Sequence, residues 1–184
     1  MGQDKSVLTY HGKTQVEHAY DLLMPFCARV IVSNRADQVG QKGHGHLPQL
    51  HDLPQFSGIG PLGGILSAMT VYSPQAAWLV FACDLPFVTP GAIDYLIQQR
   101  DPDKIATAFI STHDQMPEPL CAIWEGHGRD TIARFLNEGV RCPRKILMKS
   151  DAHLIVQKDP RWLDNVNTAQ EYKNTLTILK RRLK

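Results

Sequence analysis

No apolar run in this chain approaches the roughly 18 residues of a membrane-spanning helix. The first residues, MGQDKS, are polar, so no secretory leader is expected there. No C-x-x-C pair occurs. Cys27, Cys83, Cys121 and Cys142 stand far apart inside unrelated segments. Isolated cysteines of this kind are expected to serve as small core residues in a reducing compartment, which points to the cytoplasm. Neither sign of charge dominates: 20 basic against 18 acidic residues leave a net charge of +2. That balance excludes binding to nucleic acid or a membrane surface through bulk field. There are no internal repeats, no low-complexity tract and no linker-like stretch. The 184 residues are therefore expected to form a single domain, 1–184.

What is present is alternation. Thr14–Phe26 carries a helical stripe of Val16, Ala19, Tyr20, Leu23 and Met24. ARVIVS (28–33) is a continuous apolar run of the kind found in strands buried on both faces. A polar Gly/His-rich loop and a weak strand near Gln49–Asp52 follow, then GIGPLGGILSAMTVYS, a glycine turn feeding a helix. AAWLVFAC (76–83) is the strongest strand signal. VTPGAIDYLIQQR reads as a helix capped by Thr89. KIATAFI and PLCAIWE are strands around a polar loop. RDTIARFLNEG is a helix closed by Gly139, CPRKILMKS a short helix, AHLIV a last strand and TAQEYKNTLTILKRRLK a terminal helix. Strands alternating with helices predict a three-layer, Rossmann-like α/β domain with a mostly parallel central sheet. Ligands in such sheets bind beyond the carboxyl ends of the strands.

Four segments at such ends could carry chemistry. Asp84 in LVFACDLPF terminates the greasiest strand. It suits either a turn cap or a hard cation held through oxygen. Gly58, Gly60, Gly63 and Gly64 suit either close helix–sheet packing or an anion or base at a helix start. Lys5 suits a solvated surface or a phosphate contact. In NVNTAQEY, Thr168 and Glu171 spell a capping box. Asn165 and Asn167, two residues apart, would face one way from an extended segment, toward a site or a turn. His44 and His46 in GHGH lack further metal ligands at sensible spacing and are expected in a solvated loop. KRRLK is expected to complement a helix C-terminus. Trp78, Phe81 and Trp124 are expected in the core.

Taken in order, MGQDKSVLTYHGK, GPLGGILSAM, ACDLPF and NVNTAQEY resemble the molybdenum cofactor guanylyltransferase (MobA-like) group of nucleotidyltransferases. The resemblance runs from residue 1 to the last helix. It implies transfer of GMP from GTP to molybdopterin, with release of pyrophosphate and a requirement for Mg²⁺. Molybdoenzymes or cofactor-pathway proteins would be its macromolecular partners. By position it implies that Lys5 meets the nucleotide phosphates and that Asp84 binds the metal. Asp52 would contact the nucleotide, Gly63 and Gly64 would lie near base and ribose, and Asn165 and Asn167 on the pterin side. The family's polar residue after the second strand falls at Ser33 or Asn34. A cytidylyltransferase using CTP and a non-catalytic nucleotide-binding relative are the alternatives. Acidic residues in place of Asn165 and Asn167 would mark the former. In the resembled family a strand and an L-A-G-G-x-S-x-R loop precede the lysine motif. The expectation is that such a segment precedes Met1 in the natural product.

Overall fold

The computed structural model describes residues 5–34 and 45–182. Helix α1 (Gln15–Leu23) begins where Thr14 and Glu17 cap each other. The Glu17 amide donates to Thr14 Oγ1 at 3.3 Å, and the Thr14 amide donates to Glu17 Oε2 at 2.9 Å. Its buried face holds Val16, Ala19, Leu22 and Leu23, whereas Met24, placed in the stripe by periodicity, is exposed just past the helix end.

Strands β1 (Val32–Asn34) and β2 (Gln49–His51) form a two-stranded parallel sheet. The apolar run 28–33 was expected to be extended throughout, but the strand is confined to its end. β2 offers only three residues to pair with, and a ladder is no longer than its shorter member. Helix α2 (Pro61–Val71) follows, and then β3 (Trp78–Phe81). Helix α3 (Pro90–Gln98) starts as expected on Thr89, whose hydroxyl accepts from the Ala92 amide. Strands β4 (Ala106–Ile110) and β5 (Pro117–Trp124) form a hairpin around the polar loop. Helices α4 (Arg129–Asn137) and α5 (Pro143–Lys149), strand β6 (His153–Val156) and helix α6 (Ala169–Arg182) complete the chain. Gly139 closes the α4 segment at φ 80°.

The second sheet has the order β3-β5-β4-β6. β4 and β6 are parallel, and β5 runs against both β3 and β4, so β3, β4 and β6 share one direction. Alternate residues along the strands serve opposite layers. Phe109, Cys121 and Ile123 pack with α1 and α3, while Ala106, Ala108, Ala122 and Trp124 pack with α2, α4 and α5. This is the expected three-layer arrangement. A smaller cluster of Leu8, Tyr10, Phe87, Val166 and Leu179 ties the N-terminal segment to α6, and the Tyr172 hydroxyl donates to the Thr9 carbonyl at 2.9 Å. Of the cysteines only Cys121 is fully buried; Cys142 is exposed ahead of α5, outside the expected core. Trp124 is buried, but Trp78 and Phe81 are only half-buried, because β3 is an edge strand among the described residues.

The His11 ring stacks on the His18 ring at 3.8 Å and pairs with the Pro86 carbonyl at 3.4 Å. Burial, His11 and Lys13 push the His18 imidazole down from 6.5 to about 4, and burial also lowers His11. The His18 ring is therefore neutral in the fold over a pH range in which the unfolded chain would protonate it, and His11 shifts in the same direction. As pH falls from 6.5 toward 4, the unfolded state binds more protons, so stability declines with acidification. His18→Gln should flatten the fall in Tm between pH 7 and pH 4.5, measured by thermal melts at matched ionic strength. Parallel profiles would remove His18 from that dependence.

Candidate active site

Two groups of residues assemble at the ends of the strands. The first surrounds the start of α2. Gly60, at φ 70°, turns the chain into Pro61, and no side chain caps the helix. A Cβ on Gly63 would stand 2.5 Å from the Phe56 carbonyl and 3.0 Å from Asp52 Oδ2. A Cβ on Gly64 would stand 2.3 Å from Ser33 Oγ and 3.7 Å from Asp52 Oδ1. The structure thus brings Ser33, Asp52, Gly63 and Gly64 together. It also separates Ser33 from Asn34. The Asn34 amide is buried and donates to Gln49 at 2.8 Å, whereas Ser33 is exposed beside Gly64. Gly63→Ala should push α2 away from the carbonyl of Phe56, since a backbone atom cannot rotate aside. We expect a lowered Tm, read by melting.

The second group stands at the end of β3. The Ala82 amide donates to the Leu120 carbonyl at 2.7 Å just past the end of β3, and Asp84, in the turn that follows, is near enough to Glu118 to act on its carboxyl. The backbone carbonyl of Asp84 accepts from the Val166 amide at 3.2 Å. That bond draws the NVN segment against the strand end. Asn165 and Asn167 are exposed on either side of buried Val166. Asn165 lines a cavity of about 440 Å³ with Ser111, His113, Glu118 and Arg144. The expected Thr168–Glu171 box is formed: the Glu171 amide donates to Thr168 Oγ1 at 3.2 Å, and Glu171 accepts from the Asn167 and Thr168 amides at 2.7 and 2.9 Å.

Glu118, Arg144, His113 and Asp164 were not singled out from the sequence. Glu118 is mostly buried, accepts from the Leu120 amide at 3.0 Å and pairs with Arg144 at 3.3 Å. Burial, with Asp84 nearby, raises its carboxyl above the usual range despite those contacts. His113 pairs with Asp164 at 2.8 Å. The signal for Glu118 lay in strand register, which a single sequence does not display. Tyr10 also feels Asp84: burial, then Tyr172 and Asp84, push its hydroxyl up to about 12.

The backbone of Lys5 opens a short 3-10 turn, Lys5–Val7, and its side chain lies outside the described residues. His44 also lies outside them, as do the side chains of residues 181–184 in KRRLK. His46 approaches Glu17 at 3.5 Å from a largely exposed position. Among the described residues no group of three or more His, Cys, Asp or Glu side chains could hold a metal ion, and no helix is long and apolar enough to cross a membrane.

The layered α/β domain, with its glycine turn and strand-end carboxylate, has the nucleotidyltransferase fold. Known structures of that fold superimpose on it. Molybdopterin-guanine dinucleotide biosynthesis protein A from Archaeoglobus fulgidus matches with a TM-score of 0.77 at 22 % identity, over 98 % of this chain and 92 % of that one. The 2-C-methyl-D-erythritol 4-phosphate cytidylyltransferase of Thermus thermophilus matches at 0.69 and 16 % identity, over 97 % and 95 %.

The chain belongs to the MobA-like NTP transferase domain family, whose model matches residues 1–154. Among curated relatives it is 33 % identical to the molybdenum cofactor biosynthesis bifunctional protein of Synechocystis, over 94 % of this chain. It spans 49 % of that longer protein. It is 27 % identical to a "probable molybdenum cofactor guanylyltransferase" of Bacillus cereus, over 93 % of this chain and 86 % of that protein.

Proposed function

We propose that this domain transfers GMP from GTP to the terminal phosphate of molybdopterin, releasing pyrophosphate, in a Mg²⁺-dependent reaction in the cytoplasm. The observation that supports the reading is the Val166–Asp84 backbone bond, which brings the backbone of the strand-end residue Asp84 against the segment that carries Asn165 and Asn167. A nucleotide at the Ser33–Asp52–Gly63–Gly64 turn and a pterin against the amides would meet near Asp84.

The donor set suits Mg²⁺. Asp84 offers carboxylate oxygen at a strand end, and no cage of three or more ligating side chains is present among the described residues. Magnesium commonly takes one or two carboxylates and completes its shell with phosphates and water. Asp84 would hold the ion, which when bound neutralises charge on the transferring phosphoryl group. Lys5 adds a point charge to the triphosphate. Gly63 and Gly64 let backbone approach the nucleoside, and Asp52 sits within reach of it. Asn165 and Asn167 orient the acceptor, and Arg144, held by Glu118, supplies a cation to the acceptor side. The attacking phosphate is already ionised at neutral pH, so positioning and charge carry the step without a strong general base.

Pyrophosphate release with GTP, Mg²⁺ and molybdopterin tests the reading, beside thermal shifts with GTP and CTP. Stabilisation by CTP alone would assign a cytidylyltransferase. GTP binding without pyrophosphate release would assign a non-catalytic nucleotide-binding protein.

A further inference from the structure

The cavity of about 440 Å³ beside Asn165 is lined by four carboxylates, those of Asp114, Glu118, Asp164 and Glu171, against one guanidinium, that of Arg144. Three of the four are held by more than one donor. Glu171 accepts from the Asn167 and Thr168 amides. Glu118 accepts from the Leu120 amide and from Arg144. Asp114 accepts from the Met116 amide at 3.1 Å and lies 3.5 Å from Arg144. The Asp164 carboxylate, directly before Asn165, rests on His113 Nε2 at 2.8 Å and on no other donor among the described residues. A carboxylate only accepts, so the facing ring nitrogen carries the proton of that bond.

That pair is not what holds the chain in place. The β4–β5 loop that carries His113 closes on itself. The Ser111 amide donates to the Met116 carbonyl and the Gln115 amide to the Ser111 carbonyl, both at 2.9 Å, and the His113 amide donates to Ser111 Oγ at 3.2 Å. On the other side the Asp164 amide donates to the Arg161 carbonyl at 3.0 Å, and the Val166 amide is tied to Asp84. Both backbones are thus fixed without either side chain. The His113 side chain is 61 % exposed and that of Asp164 about a third, so the pair adds little to stability. What it does settle is where one carboxylate of the cavity stands.

We infer that His113 is a positioning residue for the acceptor. It holds the Asp164 carboxylate on the loop, so that an anionic, phosphate-bearing pterin can lie against Asn165 with no loose like charge beside it. The inference rests on the proposed reaction, which supplies the identity of that acceptor. Like charges brought together where water is displaced weaken binding strongly. Arg144 is already shared between Asp114 and Glu118, so a carboxylate released from His113 would go unanswered. The effect belongs to the acceptor alone, because the turn of Ser33, Asp52, Gly63 and Gly64 forms the separate group of residues assigned to the nucleotide.

The test compares the parent, His113→Ala and the double variant His113→Ala/Asp164→Asn. Each is assayed for pyrophosphate release with GTP and Mg²⁺ and titrated calorimetrically with molybdopterin. His113→Ala is expected to raise both the KM and the Kd for molybdopterin about tenfold, while kcat and the KM for GTP change less than about twofold. Its melting curve should stay close to the parent's. The double variant is expected to return to within about threefold of the parent, because the amide keeps the side chain's shape and carries no charge. A purely structural role for His113 would not be rescued in this way. Three results would overturn the inference: an unchanged molybdopterin KM and Kd in His113→Ala, a loss shared equally by GTP, or a double variant no better than the single one. A parent that releases no pyrophosphate while the three proteins keep the expected order of molybdopterin affinity would overturn the proposed reaction and support the inference. A parent that binds no molybdopterin would overturn both.

Discussion

Asp84→Asn is expected to lower the rate of pyrophosphate release by at least about a hundredfold while leaving Tm within a degree or so of the parent. The stability expectation follows from which atoms hold the residue in place. Its backbone carbonyl, not its side chain, accepts from Val166, so the substitution leaves the NVN segment docked. The Ala82–Leu120 bond that sets the strand end is likewise backbone. The activity expectation follows from charge. The amide keeps the shape of the carboxylate and loses the anionic oxygen that a hard cation requires. It also removes a neighbour that helps raise Glu118, so the Glu118 carboxyl should ionise at lower pH in the variant. Steady-state turnover, melting curves and binding of Mn²⁺ followed by electron paramagnetic resonance separate the two expectations. Parent-like turnover in the variant would remove Asp84 from the mechanism.

Much of this site was readable before the fold because its residues punctuate the hydrophobic pattern. Asp84 ends a continuous apolar run, the glycines interrupt one, and the Thr168–Glu171 box announces the helix behind Asn165 and Asn167. Local chemistry dictates those features, so one sequence displays them. Glu118, Arg144 and Tyr10 come to the site through pairing over long separations, and nothing within a few residues of each marks it. Glu118 comes near Asp84 through the pairing of β5 with β3, whose end precedes Asp84. The extent of β1 was misjudged for a related reason. Apolar composition at 28–31 signals that a segment is suited to pairing, and whether it pairs depends on a neighbour the segment does not encode. The half-burial of Trp78 and Phe81 has the same origin: hydrophobicity states what a strand needs, and β3, an edge strand among the described residues, meets that need only in part.

Gly126→Ala is expected to be the most damaging small substitution for stability. Gly126 is buried where β5 passes into the turn before α4. A Cβ there would lie 2.2 Å from the Pro74 carbonyl oxygen and 2.7 and 2.8 Å from the carbonyl carbon and Cα of Gln75. All three are backbone atoms of the segment leading into β3, so no side chain can rotate away. Relief requires the lead-in to β3 and the exit of β5 to move apart, against the ladder that pairs Trp78 with Trp124. Overpacking of this kind costs about 3 kcal/mol, or roughly 6–12 °C in Tm for a domain of this size. Gly139→Ala is the matched control. Gly139 sits at φ 80° with open space where a Cβ would go, so only the left-handed backbone is charged against it, about 1 kcal/mol. A melt that ranks Gly126→Ala well below Gly139→Ala would support close packing of the two strands at that point. The reverse order would mean that the 73–76 segment yields freely. The same displacement would move β3 relative to β5, so Asp84 should lose its place near Glu118. Residual activity of Gly126→Ala measured at low temperature should then fall further than the folded fraction accounts for.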